Sequence, residues 1–282
     1  MESSQFFGLA MIVYILAAAF YLGLFLFKNS KVGLVGMLLA ASGLSLQTVA
    51  ITLRWIESYR LGIGHAPLTN MYESLVFFAW CTTLFYLVLE FRYKTRVMGA
   101  FVMPCVAVAM AYASLSARID DQISPLIPAL QSNWLIAHVV TCFIGYGAFA
   151  VAGGLGLMYL LKHSAEMKKE PNSMLVALPS LAIIDELTHK TIIFGFMWLS
   201  AGIITGAVWA NEAWGTYWSW DPKETWSIIT WFLYALTLHA RFTRGWRGSR
   251  IAWLSILGFL AVFFTYFGVN FLLSGLHSYG SV

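Results

Sequence analysis

The chain has 282 residues, of which 60% are hydrophobic and only 11% charged. Soluble domains carry about a quarter charged residues, so this balance excludes a chain dissolved in water and fits one dissolved in lipid. The formal net charge of +4 does not signal a nucleic-acid partner, because the basic residues fall in short clusters between apolar runs, the positive-inside pattern of membrane proteins.

The amino-terminal MESSQFF has neither a basic stretch nor a small-residue cleavage signal and is expected to open a retained first span. Crossing about 30 Å of hydrocarbon takes roughly 20 apolar residues. About eight runs meet that length: 6–27, 32–55, 72–91, 97–115, 134–161, 191–209, 225–241 and 251–273. The expected fold is therefore an all-α polytopic membrane protein, one integral membrane domain over 1–282. When Lys and Arg are assigned to alternate connections, one side holds Lys28, Lys31, Arg92, Lys94, Arg96, Lys162, Lys168, Lys169, Lys190, Arg241, Arg244, Arg247 and Arg250. The other side holds only Arg54, Arg60, Arg118 and Lys223. That asymmetry assigns the first side to the cytoplasm, and an even number of spans then leaves both termini on the outer side.

Within the runs, Gly145, Gly153, Gly154 and Gly156, and the pair Gly202 and Gly206 at GxxxG spacing, suit close helix packing in lipid. Pro104 falls mid-run and is expected to kink its helix. The cysteines Cys81, Cys105 and Cys142 lie in separate runs with no CxxC pair, so they read as packing residues and not as a disulfide or thiol relay. Residues 162–190 are expected to form a cytoplasmic loop, in which 174–190 alternates apolar and acidic positions as a surface helix would.

Chemistry concentrates at residues 209–231, WANEAWGTYWSWDPKETWSIITW, between the sixth and seventh runs. Six Trp and a Tyr surround a short polar centre. Asp221-Pro222-Lys223-Glu224 has the form of a helix start, with Asp as N-cap, Pro at the first helical position and Glu closing a capping box. An aromatic belt at the bilayer interface would account for scattered Trp. Their tight clustering around Gly215 fits a flat aromatic platform for a large planar ligand instead.

WGTYWSWDPKETW resembles the tryptophan-rich "WWD" motif of the heme-handling superfamily. Its DPKETW ending, followed by a run ending LHAR, resembles the CcsA (ResC) branch of the System II cytochrome c synthases, over most of the chain. The resemblance implies heme b as ligand, bound by Trp214, Trp218, Trp220 and Asp221 of the motif. It implies His138 (in NWLIAHV) and His277 (in SGLHSY) as axial ligands of an outer heme iron, and His239 (in ALTLHAR) as the ligand of an inner heme site. It further implies a holocytochrome c synthase (heme lyase) component in the plasma membrane, active at its outer face with a CcsB/ResB-type membrane partner. There heme would be attached to the CxxCH motif of an apocytochrome c, which supplies the thiols.

The residues agree with that mapping. His138 lies about a turn inside the outer end of its run and His277 follows the last run on the same side, and two neutral imidazoles would close the iron to stray ligands. Lys223 is read as facing water or a nearby acid, with pairing to a heme propionate as the alternative. His163 and His189 are read as solvated. His65, in GIGHAPLTNMYESL, is read as part of loop structure. The alternative function is a heme-binding electron-transfer subunit of cytochrome b type, which would pair histidines at membrane depth; His239 has no such mate in this sequence.

Overall fold

The computed structural model describes residues 2–27, 29–168, 178–273 and 275. Among them there are helices and their connections and no strand. The long helices are α1 (Ser3–Phe27), α2 (Ser30–Arg60), α3 (Met71–Tyr93), α4 (Gly99–Leu115), α5 (Asn133–Met167), α6 (Leu181–Trp214), α7 (Pro222–Arg244) and α8 (Ser249–Leu272). The protein is an all-α polytopic membrane protein. Among the described residues, seven helices are long and apolar enough to cross a bilayer, and α7 falls outside that set. The expectation of about eight spans counted α7 on the strength of its apolar centre. Its buried side carries Glu224, Thr230, Thr237 and Arg241, and that polar face lowers its hydropathy although its 23 residues are long enough.

Burial in this bundle follows helix packing and not hydrophobicity alone. On α1, Phe7, Ala10, Tyr14, Ala17 and Tyr21 are buried at helical spacing while Ile12, Ile15 and Leu22 are exposed, as expected of a face turned to lipid. They meet a stripe of small residues on α2, Gly33, Gly36, Ala40 and Gly43. A Cβ on Gly43 would stand 2.7 Å from the Tyr14 ring, and one on Gly36 would stand 3.2 Å from Tyr21. The same device joins α5 to α6, where a Cβ on Gly145 would meet the Gly195 carbonyl at 3.1 Å, and α5 to α8, where Gly153 faces Phe259. The three cysteines are free, Cys81 and Cys142 being buried. Pro104 sits inside α4.

The helices run into the expected 162–190 loop from both ends. α5 continues to Met167 and α6 starts at Leu181, so the stretch up to Lys190 is the first turns of α6, not a separate surface helix. Asp185 on that stretch pairs with the buried Arg241 of α7 at 2.8 Å and accepts from the Gly248 backbone N–H at 2.7 Å. Acidic residues read as solvent-facing thus tie α6 to the α7–α8 turn. Positions 174–177 lie outside the described residues.

At the opposite end, a long irregular segment links α4 to α5 across the mouth of the bundle, interrupted by one 3₁₀ turn, Pro128–Leu130. Side chains from four places hold its backbone carbonyls. Arg54 donates to Asp121 at 2.8 Å, Asn70 to Gln122 at 3.3 Å, and Trp209 Nε1 to Ala129 at 2.8 Å. The buried His65 places Nε2 3.1 Å from the Ser124 carbonyl. Arg54 is also paired with Glu73 at 2.7 Å; Asn70 caps the start of α3 by accepting from the Glu73 N–H, and the Glu73 carboxylate accepts from the Thr69 N–H.

Candidate functional site

The Trp-rich segment starts as helix and ends as helix. α6 runs through Trp214 and is stopped by Gly215, whose left-handed backbone (φ +76°) lets its N–H bond to the Asn211 carbonyl. Gly215 is therefore a helix stop and not the centre of a flat platform. The chain then turns and enters α7 through the expected capping box: Asp221 accepts from the Lys223 N–H at 2.9 Å, and Glu224 accepts from the Asp221 N–H at 3.2 Å. Glu224 also accepts from the Ser219 N–H at 2.8 Å, tying the turn down further. Trp220 is held with φ +59°, a backbone uncommon for a bulky residue.

The indoles do not form one continuous sheet. Trp218 and Trp220 meet edge to face, with ring centres 5.7 Å apart and planes at 88°, and Trp209 and Trp214 meet at 4.9 Å and 62°. Tilted pairs of this kind satisfy the ring quadrupoles better than a flat array.

Beneath this turn lies a cleft of about 1200 Å³, counting the space that opens to solvent. His138 of α5, Trp209 and Gly206 of α6, Tyr217 and Trp218 of the turn, Lys223 and Glu224 of α7, and Thr265, Tyr266 and Asn270 of α8 line it. Phe143, Tyr146 and Cys142 complete its apolar floor.

His138 is the best-oriented group in the cleft. Its Nδ1 is 2.8 Å from the Gly202 carbonyl, which fixes the proton on Nδ1 and leaves the lone pair on Nε2. Its ring stacks on Trp209 at 5.8 Å and 19°. The GxxxG pair builds this seat: Gly202 supplies the carbonyl, and a Cβ on Gly206 would stand 2.5 Å from Nδ1. On the far wall, α8 widens into a π turn, Phe264–Gly268, as helices frequently do at functional sites. That turn places Tyr266, whose hydroxyl bonds to Ser74, and Thr265, which bonds to Thr230 at 3.0 Å.

The matched region of the family described as cytochrome C assembly protein covers residues 68–277, from the start of α3 through the whole cleft. The chain belongs to the CcsA-type cytochrome c assembly proteins. It is 42% identical to a cytochrome c biogenesis protein CcsA of Guillardia theta over 93% of this chain and 91% of the relative. It is 40% identical to one of Synechococcus sp. (strain CC9902) over 90% and 88%. The fold is shared with a cytochrome c heme lyase CcmF at a TM-score of 0.69 and 18% identity, covering 98% of this chain. The chain spans about half of that longer one, 48%.

In this CcsA-type protein the residues singled out from sequence separate into distinct places. His138 and Trp218 line the cleft. Trp214 packs behind it in an outer apolar cluster with Leu130, Leu135 and Trp209. Trp220 is 72% exposed at the turn's outer surface, and Asp221 is buried as the cap. His239 is exposed on the outward stripe of α7 with Phe232, Leu236 and Phe242, roughly 18 residues or about 27 Å beyond the cap. His277 lies outside the described residues. Gly275 is described, and a Cβ there would collide with the Asp221 carboxylate, so the chain just before His277 runs against the Trp turn. The sequence reading missed Tyr266 and Asn270, which sit in an ordinary apolar run and announce themselves only through the π turn. It also gave no role to PLTNMYES, whose Asn-x-x-Glu spacing was a legible cap signal.

Proposed function

We propose that this protein takes heme b into the outer cleft as the heme-handling subunit of a cytochrome c synthase and presents it to the CxxCH motif of apocytochrome c. The observation that carries this reading is His138: one ring nitrogen is committed to a backbone carbonyl, the tautomer left is the ligating one, and the ring stands in an aromatic-lined cleft. Neutral imidazole is an apt ligand for heme iron, and the cleft around it is open to solvent and lined mainly by aromatic and apolar side chains. His277 is the second axial ligand in this reading, supported by the position of Gly275 beside Asp221.

Heme supplies the reactive vinyl groups, each of which takes up one thiol S–H of the apocytochrome to form a thioether. The chain's own residues bind and orient. His138 ligates, Trp209 and Trp218 wall the cleft, and Asp221 and Glu224 hold the turn that carries Trp218. No acid or base among them is assigned to the addition, and the contribution is positioning. The charge asymmetry supports a plasma-membrane protein with this cleft at the outer face. His239 points out of the bundle, as a ligand shared with a CcsB/ResB-type partner would, and forms an inner site from which heme is loaded.

The test is His138→Gly in the chain co-expressed with its partner. Heme absorbance and holocytochrome yield should fall, and added imidazole should restore part of both by filling the vacated coordination position. Unchanged spectra and yield would remove His138 as a ligand.

A further inference from the structure

The cleft is walled mainly by apolar and neutral side chains, and its two charged residues are used differently. Glu224 is spent internally, its Oε2 taking three donors: the backbone N–H groups of Ser219 and Asp221 and the Ser219 hydroxyl, at 2.8, 3.2 and 3.2 Å. Lys223 extends from the first turn of α7 to Asn270 of α8, where Nζ donates to Oδ1 at 3.1 Å. An ammonium has three N–H donors, and among the described residues this neutral amide is the one hydrogen-bond acceptor of Lys223. Among the described residues no carboxylate forms an ion pair with Lys223. A cation at the wall of an apolar cleft, tethered by an amide and attracted by the Asp221 carboxylate without contact, keeps N–H donors for an anion.

We infer that Lys223, positioned by Asn270, is the carboxylate subsite of the cleft and receives a propionate of the bound porphyrin. This rests on the heme reading of the cleft and adds to it the direction in which the ring lies. Lys223 is the second residue of α7, two after its cap Asp221, while His138 approaches from α5. The acidic edge of the porphyrin is thereby turned toward the start of α7 and the tail of α8, the two elements that hold Lys223 and Asn270. Lys223 and Asn270 are thus positioning residues, with ligation left to His138.

The experiment compares two probes on the purified full-length protein: iron protoporphyrin IX and its dimethyl ester, which keeps the iron and the ring but has no carboxylate. The unaltered protein should bind the free acid about tenfold more tightly than the diester, since a hydrogen bond to a charged group is worth that order. Lys223→Met should lose this preference by weakening only the free acid, and Lys223→Arg should keep it. The diester serves as the folding control, because Lys223→Met that binds it normally still has an intact cleft. A Lys223→Met protein that retains the preference, or an unaltered protein that binds both probes equally, would overturn the subsite and leave the heme cleft standing. Failure of the unaltered protein to bind either porphyrin overturns the heme reading itself, and the subsite with it.

Discussion

At the scale of the residue, the seat of His138 depends on what its neighbours lack. Gly206 leaves a space that a Cβ would fill at 2.5 Å from Nδ1, and Gly202 brings a backbone carbonyl to hydrogen-bonding distance. Gly206→Ala should therefore push the imidazole off its carbonyl without unfolding the bundle. Heme affinity should drop by about tenfold or more, the usual cost of losing a hydrogen bond that orients a metal ligand, while elution volume and thermal midpoint stay near those of the unaltered protein. Normal affinity would show that the ring has another way to sit. Asp221 offers a second residue-scale test. Its buried carboxylate caps α7, so Asp221→Ala should cost about 1 kcal/mol of cap stability and loosen Trp218, whereas Asp221→Asn keeps a capping oxygen and should retain more heme. Equal heme loss in the two variants would assign the carboxylate to the ligand instead.

At the scale of the element, two segments carry the site, and they differ in how much the sequence disclosed. The capping box of α7 was legible because its chemistry is local: four consecutive residues contain every partner. The run expected at 225–241 lies within α7, which is not apolar enough to count as a span, because a helix that builds a site gives up apolar positions on one face. The α4–α5 segment was not legible at all, since its order comes from Arg54, His65, Asn70 and Trp209, which are scattered along the chain. Arg54 is the keystone, joining Glu73 to two carbonyls of that segment from a buried position. Removing one partner of a buried pair costs about 3–5 kcal/mol by leaving the other uncompensated. Arg54→Met should accordingly lower the thermal midpoint in detergent and speed hydrogen exchange over residues 117–130, with little change in α5 and α6. Unaltered exchange in that segment would mean that His65, Asn70 and Trp209 suffice to hold it.

At the scale of the whole molecule, lipid made the bundle legible from sequence. Backbone groups inside a bilayer must be satisfied within each helix, so long apolar runs had to be helices, whereas the helix ends ran further than expected because polar residues such as Asp185 and Glu186 continue a helix outside the apolar layer as readily as they form a loop. The cleft lining escaped because Tyr146, Tyr266 and Asn270 look like span residues until α3, α5 and α8 pack together. Orientation is the remaining property of the whole, and the site's chemistry depends on it. The ends of α2, α4 and α6 and the starts of α3, α5 and α7 gather at the end that holds the cleft, Arg54 and Arg118. The opposite end carries Lys31, Arg92, Lys94, Arg96, Lys168 and Arg244. Positive clusters favour the cytoplasmic side, and the orientation proposed from them would turn the cleft outward, toward the compartment where apocytochrome thiols would meet heme. Cysteines introduced at Arg118 and at Lys168, both exposed, report on the two ends, and the native thiols, two buried and one half-buried, provide the background. On intact cells a membrane-impermeant maleimide should label Arg118→Cys and spare Lys168→Cys, and permeabilisation should make both reactive. The reverse pattern would put the cleft on the cytoplasmic side, where His138 could not serve attachment at the outer face, and the proposed function would fall with the topology.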